Sequence, residues 1–290
     1  MNAIVDTLAE LSDRYDAVFC DLWGCLHNGI EPFADAVTAL QAFRGTGGKV
    51  VLLTNSPKPR AGVEAQLAEI GVPRDAWDVI ATSGDSARLA MFQGAVGTRV
   101  YFIGEERDLP FFEPLHLLKD CPRIERVELA EAEGIVCTGP FDPLADPDTM
   151  RPDFLYAKQK NLKLLCANPD IVVDKGETRQ WCAGALARLY TEMGGTSLYF
   201  GKPHPPVYDL ARRRLAALGA SVPDSRILAV GDGILTDIQG ALGEDIDSLF
   251  ITGGLAAAET RTNRDPDPTA LAAYISEQMI QPTYSIGFLR

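Results

Sequence analysis

The sequence has no apolar run approaching the ~20 residues that a membrane-spanning helix needs, so a membrane partner is not expected. It also has no basic face. Lys and Arg number 27 against 40 Asp and Glu, for a formal net charge of −13, and no Lys/Arg cluster offsets that repulsion. A nucleic-acid partner or an anionic lipid surface is disfavoured on this ground. Paired C-x-x-C spacings are missing as well. The six cysteines (Cys20, Cys25, Cys121, Cys137, Cys166, Cys182) are scattered, several inside apolar segments, as expected of buried free thiols in a reducing compartment. Met1 to Tyr15 is polar and acidic rather than a basic stretch leading into an apolar one, so no signal peptide is expected and the cytoplasm is the expected location. Repeats and low-complexity linkers are absent.

What remains is the composition of a globular chain, 46% hydrophobic and 23% charged. Its 290 residues suit two compact domains. Short β-rich runs alternate with helical patterns throughout, the signature of a mainly parallel sheet covered by helices. The fold class is therefore α/β, with a doubly wound, Rossmann-like core. Strands are expected at Ala17–Cys20, Lys49–Leu53 and Val79–Thr82, with a helix from Phe33 to Arg44 closing at Gly45–Gly48. The pattern then restarts, with runs at Arg99–Ile103, Ile124–Leu129, Gly134–Thr138 and Leu162–Ala167 and a long helix from Glu177 to Met193. This reads as an inserted α/β domain over 84–194, flanked by core segments 1–83 and 195–290. In the second core segment, Leu198–Phe200 leads to Gly201-Lys202, followed by a helix over Val207–Leu218 and strands at Arg226–Val230 and Ser248–Thr252.

In a parallel α/β sheet, ligands sit beyond the carboxyl ends of the strands. Four polar residues fall at or just after such ends: Asp21, Thr54, Lys202 and Asp232. Each alone is what any turn or cap would supply. Together they form a consistent chemistry. Asp21 offers a carboxylate that can attack phosphorus, provided the phosphoryl oxygens are neutralised. Mg²⁺ takes one or two carboxylates together with substrate phosphate, which suits Asp21 and Asp232. Thr54 can donate its hydroxyl to the phosphoryl group and Lys202 can set an ammonium against it. Asp237 lies where it could hold a metal-bound water or Lys202 in place.

The stretches Asp21-Leu22-Trp23-Gly24-Cys25-Leu26, Leu53-Thr54-Asn55, Gly201-Lys202-Pro203 and Gly231-Asp232-Gly233-Ile234-Leu235-Thr236-Asp237 resemble, in order, the four motifs of the haloacid dehalogenase (HAD) superfamily. The insertion, with Asp142-Pro143 and Asn168-Pro169-Asp170, resembles the large α/β cap of its class IIA branch. That branch contains phosphatases of nucleotides, sugar phosphates and p-nitrophenyl phosphate. The resemblance implies a Mg²⁺-dependent phosphatase of a small phosphorylated metabolite, working through an aspartyl-phosphate. Asp21 would be nucleophile and metal ligand, with Asp232 and the Trp23 carbonyl as further ligands. Thr54, Asn55 and Lys202 would bind phosphate, with Gly233 and Asp237 supporting. Asn168 and Asp170 would face the site from the cap, and pairing through the caps would give a homodimer.

One departure matters. Family phosphatases carry a second Asp two residues after the nucleophile as general acid and base, and Trp23 can do neither job. His27, Asn28 and His204 are the nearest substitutes, although each reads equally well as a loop or packing residue. His116 has no nameable partner. Two alternatives follow from Trp23: a phosphate-binding protein that has lost turnover, and a dehalogenase, whose halide needs no proton. Against the dehalogenase stand Asp232 and Asp237, which would only repel the nucleophile of a metal-free site.

Overall fold

The computed structural model describes residues 3–114, 121–175, 178–219 and 221–290; His116 lies outside them. The strands in chain order are β1 (Ala3–Ile4), β2 (Ala17–Cys20), β3 (Lys49–Thr54), β4 (Val79–Thr82), β5 (Arg99–Ile103), β6 (Glu125–Arg126) and β7 (Gly134–Cys137). They continue with β8 (Lys163–Cys166), β9 (Val172–Lys175), β10 (Thr178–Trp181), β11 (Thr196–Tyr199), β12 (Ile227–Gly231), β13 (Asp247–Ile251) and β14 (Tyr284–Ile286). The α-helices are α1 (Ala34–Gly45), α2 (Arg60–Glu69), α3 (Ser83–Phe92), α4 (Arg151–Gln159), α5 (Ala183–Glu192), α6 (Pro205–Ala217), α7 (Gln239–Gly243) and α8 (Pro268–Gln278). Among the described residues no helix is long and apolar enough to cross a membrane.

The chain divides into two compact units, one holding residues 1–54, 64–81 and 208–290, the other 55–63 and 82–207. A seven-stranded sheet in the order β1-β14-β13-β12-β2-β3-β4 organises the first. The pairings β12/β13, β12/β2, β13/β14, β2/β3 and β1/β14 are all parallel. Every residue of β2 and β12 is buried, as a strand covered on both faces requires, so polar residues can begin only where these strands end. β2 lies between β12 and β3, with Cys20 in register with both Val230 and Leu52. Asp21, Asp232 and Thr54 therefore emerge from three adjacent central strands.

The second unit has its own parallel five-stranded sheet, β11-β8-β7-β5-β6. Alternate residues of β7 serve two layers. Ile135 and Cys137 pack with Phe154, Leu164, Leu186 and Tyr190, whereas Val136 packs with Ala87, Met91 and Phe111. That period of two is what a strand sandwiched between layers must show.

Three expectations from the sequence differ from the structure. Thr178–Trp181 is not the start of a long helix but a strand pairing antiparallel with β9, and α5 begins only at Ala183. The hairpin carries an Arg179 guanidinium donating to both Asp174 carboxylate oxygens, at 2.7 and 2.8 Å, a pairing that helical spacing would not offer. Strand β11 adds to the second sheet through β8, so that sheet's last strand runs to Tyr199. The run at Ile124–Leu129 keeps only Glu125–Arg126 as strand, followed by a 3₁₀ turn at Leu129–Glu131.

Phe154 is fully buried and its ring lies 5.1 Å from that of Tyr190. We expect Phe154→Ala to lower unfolding free energy by ~3–5 kcal/mol, read from urea denaturation of the whole chain. A loss under 1 kcal/mol would contradict the packing described.

Candidate active site

In the first unit, the chain leaves β2 at Asp21 and doubles back at once. The Asp21 amide donates to the Val230 carbonyl at 2.8 Å, which carries the sheet register one residue past the strand end. Leu26 and His27 amides both donate to the Leu22 carbonyl, at 2.8 and 3.1 Å, and the Gly24 amide donates to the His27 carbonyl at 3.0 Å. This knot requires a positive φ at Gly24, 71°. Asn28 closes it, its Oδ1 accepting from the amides of Ile30 and Glu31 at 3.0 and 2.9 Å.

The ring of Trp23 lies over Gly29, where a Cβ would sit 2.1 Å from its Cη2, and meets the His27 ring edge-on at 5.2 Å. Trp23 is a packing element of the loop. His27 is buried, its Nδ1 accepts from the Gly29 amide at 3.0 Å, and burial pushes its pKa down to about 4. At neutral pH the imidazole is uncharged, with only its Nε2–H free to donate.

Asp232 follows β12 and enters a slot just wide enough for a carboxylate. A Cβ on Gly24 or on Gly254 would lie 2.1 Å from its Oδ2, and that oxygen accepts from the Leu255 amide at 3.0 Å. Asp237 acts on the backbone of the same turn. Its Oδ2 accepts from the Gly233 amide at 3.0 Å, and its side chain fills the space that a Cβ at Gly231 would occupy. The turn of π-helix over Ile234–Ile238 returns Asp237 to that position.

Ligand atoms of Asp21, Cys25 and Asp232, all buried, lie within 4.8 Å of one another. Two carboxylates 4.8 Å apart repel by roughly 3.5 kcal/mol at an effective dielectric near 20. A small divalent cation reverses the sign, and the two hard carboxylate oxygens fit one that prefers oxygen. The Cys25 thiol is held protonated: burial first, then the charges of Asp232 and Asp21, push its pKa well up. Thr54, buried at the end of β3, belongs to the same unit.

The second unit holds the remaining candidates. Asn55 clamps the backbone of Lys202 from both sides, its Oδ1 accepting from the Lys202 amide at 2.7 Å and its Nδ2 donating to the Lys202 carbonyl at 3.0 Å. The same Nδ2 donates to Asp170 Oδ1 at 2.8 Å. Gly201 has no room for a side chain, since a Cβ would stand 2.4 Å from Asn55 Oδ1 and 2.6 Å from Ser83 Oγ. Lys202 is itself buried. Asn168 Oδ1 accepts from the Asp170 amide at 3.0 Å, which shapes the turn that presents Asp170. The His204 ring stacks on Tyr199 at 4.9 Å, and burial lowers its pKa.

Asp21 and Asp232, expected to share a cation, thus meet in one unit, beside the loop that carries Trp23, His27 and Asn28. Asn55, Lys202 and Asp170 meet in the other. Sequence reasoning missed Cys25, Gly254 and the Leu255 amide. For Gly254 a signal existed, a Gly-Gly pair directly after the strand expected to end at Thr252.

Comparison with known proteins bears on the same residues. A family model for haloacid dehalogenase-like hydrolases matches residues 18–117, and a HAD-hydrolase-like model matches 199–278. The crystal structure of a hydrolase of the haloacid dehalogenase-like family from Brucella suis is 42% identical, covers 99% of this chain and 100% of that one, and superposes with a TM-score of 0.86. A D-glycerol 3-phosphate phosphatase from Mycobacterium tuberculosis is 25% identical over 89% of this chain and 69% of its own length. A glycerol phosphate phosphatase from the same organism, solved in complex with magnesium, is 23% identical, covers 95% of this chain and 75% of that one, and has a TM-score of 0.67.

The slot around Asp232 makes a paired prediction. Gly24→Ala and Gly254→Ala should both weaken divalent-cation binding, measured by calorimetry, because each Cβ displaces the carboxylate. Gly24→Ala should lose a further ~1–2 kcal/mol of stability to its left-handed backbone, a cost Gly254→Ala does not carry. Wild-type cation affinity in both variants would show that the slot does not hold Asp232 for that purpose.

Proposed function

The chain belongs to the haloacid dehalogenase-like hydrolases, and from that membership we propose that it is a Mg²⁺-dependent hydrolase of small phosphate monoesters, sugar-phosphate or nucleotide-like, attacking phosphorus with Asp21. The observation that carries this reading is the approach of the buried Asp21 and Asp232 carboxylates at the ends of adjacent central strands. Mg²⁺ suits that pair, and a similar glycerol phosphate phosphatase was solved with it. Asp21, Asp232 and the Trp23 carbonyl would hold the ion. When bound, it neutralises phosphoryl charge.

One Asp21 oxygen attacks phosphorus, the ester P–O bond breaks with its electron pair on the leaving oxygen, and an aspartyl-phosphate remains. Water then cleaves it, releasing phosphate and restoring the carboxylate. Thr54 would donate its hydroxyl to the phosphoryl oxygens, and the family resemblance gives Lys202 the role of the ammonium against their charge. Asn55 serves by fixing the Lys202 backbone, Asp237 and Gly233 by shaping the loop that carries Asp232. By the family resemblance Asn168 and Asp170 would contact substrate, with Asp170 oriented by Asn55, and His204 is a candidate for the same role. The substrate's organic portion would be read there.

Trp23 sets the rate. An indole neither gives nor takes a proton near neutral pH, and His27 is already uncharged there, so the leaving oxygen receives little help. Such help is ordinarily worth ~10²–10⁴-fold. An activated ester that leaves as a stabilised phenolate barely needs it. The tight packing of Trp23 over Gly29 also favours a second reading, a phosphate-binding protein that has lost turnover.

We therefore expect p-nitrophenyl phosphate to be hydrolysed in the presence of Mg²⁺, and alkyl phosphates such as glycerol phosphate to be hydrolysed ~10²–10⁴-fold more slowly. Chelation and Asp21→Asn should each abolish phosphate release. Equal rates for Asp21→Asn and the parent would remove Asp21 as nucleophile. Mg²⁺-dependent phosphate binding without any turnover would select the second reading.

A further inference from the structure

The cluster that suits Mg²⁺ contains a group that Mg²⁺ does not use. Cys25 is 1% exposed, and its Sγ lies within the same 4.8 Å as the Asp21 and Asp232 carboxylate oxygens. Among the described residues the thiol has no hydrogen bond. Its backbone is fixed by the knot that follows Asp21, with Leu26 and His27 amides bound to the Leu22 carbonyl, and its side chain is enclosed. A weakly polar atom enclosed beside two carboxylates gains nothing from them. It would gain from a cation that bonds sulfur.

We propose that Asp21, Cys25 and Asp232 form a site for thiophilic divalent cations such as Zn²⁺ and Cd²⁺, which occupy the Mg²⁺ position with Cys25 thiolate as an added ligand. This rests on the reading that the two carboxylates hold Mg²⁺. A tetrahedral zinc ion takes sulfur at ~2.3 Å and carboxylate oxygen at ~2.0–2.2 Å, which puts its ligand atoms roughly 3.5 Å apart. Atoms already within 4.8 Å of one another need to approach by at most roughly 1.3 Å to meet that. On binding, the S–H bond breaks, the proton passes to solvent and a sulfur–metal bond forms, with no change of oxidation state. Mg²⁺, which takes oxygen only, leaves the thiol protonated. Soft cations therefore compete with Mg²⁺ and, by engaging Asp21 through a more covalent set of ligands, arrest the nucleophile.

The test titrates the metal-free full chain with Cd²⁺ and follows the ultraviolet thiolate-to-cadmium charge-transfer band, in the parent, in Cys25→Ser and in Cys121→Ser. Expected is a band in the parent and in Cys121→Ser that is absent in Cys25→Ser, where Cd²⁺ affinity falls by at least the ~10-fold that loss of even an outer partner of a metal site costs. A band that survives in Cys25→Ser, or a parent that binds Mg²⁺ by calorimetry yet shows no band, overturns the proposal. Should Cys25→Ser fail to fold, displacement of the parent's band by Zn²⁺ but not by equimolar Mg²⁺ supports it, and equal displacement by both rejects it. Mg²⁺ binding and p-nitrophenyl phosphate hydrolysis are measured on the same parent sample. Absence of both strikes the phosphatase reading, whereas loss of the cadmium signal alone strikes only the soft-metal site.

Discussion

Two negative charges forced close together in a buried place are the constraint from which the first unit's architecture follows. Asp21 and Asp232 follow adjacent strands that are covered on both faces, and both side chains are buried. The surroundings accept this cost and then fix it. Gly24 and Gly254 give Asp232 a slot with no spare width, the Leu255 amide holds one oxygen, and Asp237 ties the turn beyond. The carboxylate is thus positioned by the fold itself, the kind of preorganisation on which electrostatic catalysis depends.

The second unit solves a different problem, that of holding a lysine in a buried setting. The lysine's backbone is held by one side chain. Asn55 takes both the amide and the carbonyl of Lys202, and spends its remaining proton on Asp170, so one amide side chain sets the position of a cation and of a carboxylate together. Replacing Asn55 by Asp would keep the size and lose the donor that makes this double hold possible.

How much of this was legible beforehand follows the range of the interactions. Apolar runs ending in Asp21, Thr54 and Asp232 stand out because covered parallel strands leave their polar residues at their ends, and the fold class follows from the same alternation. Thr178–Trp181 misled because Arg179, Gln180 and Trp181 fit a helical pattern as well as a strand, and only the pairing with Val172–Lys175 decides between them. Strand β11 was placed with the wrong sheet's segments for the same kind of reason: its partner is β8, more than thirty positions away. Cys25 was invisible as a neighbour of Asp232 because 207 positions separate them, and a thiol in an apolar stretch reads as core. The clamp between Asn55 and Lys202 spans 147 positions, a distance over which spacing carries no information.

Trp23 shows how a local choice becomes hard to revoke. Its indole covers Gly29 and abuts His27, so the loop's interior is shaped around it. Exchanging it for an acid would remove that cover, leave a void above Gly29 and set a charged group beside an imidazole sealed from water. Positions 23, 27 and 29 are therefore coupled through contact. The indole at 23 is thus held by the neighbours it covers, and a change there calls for changes around it.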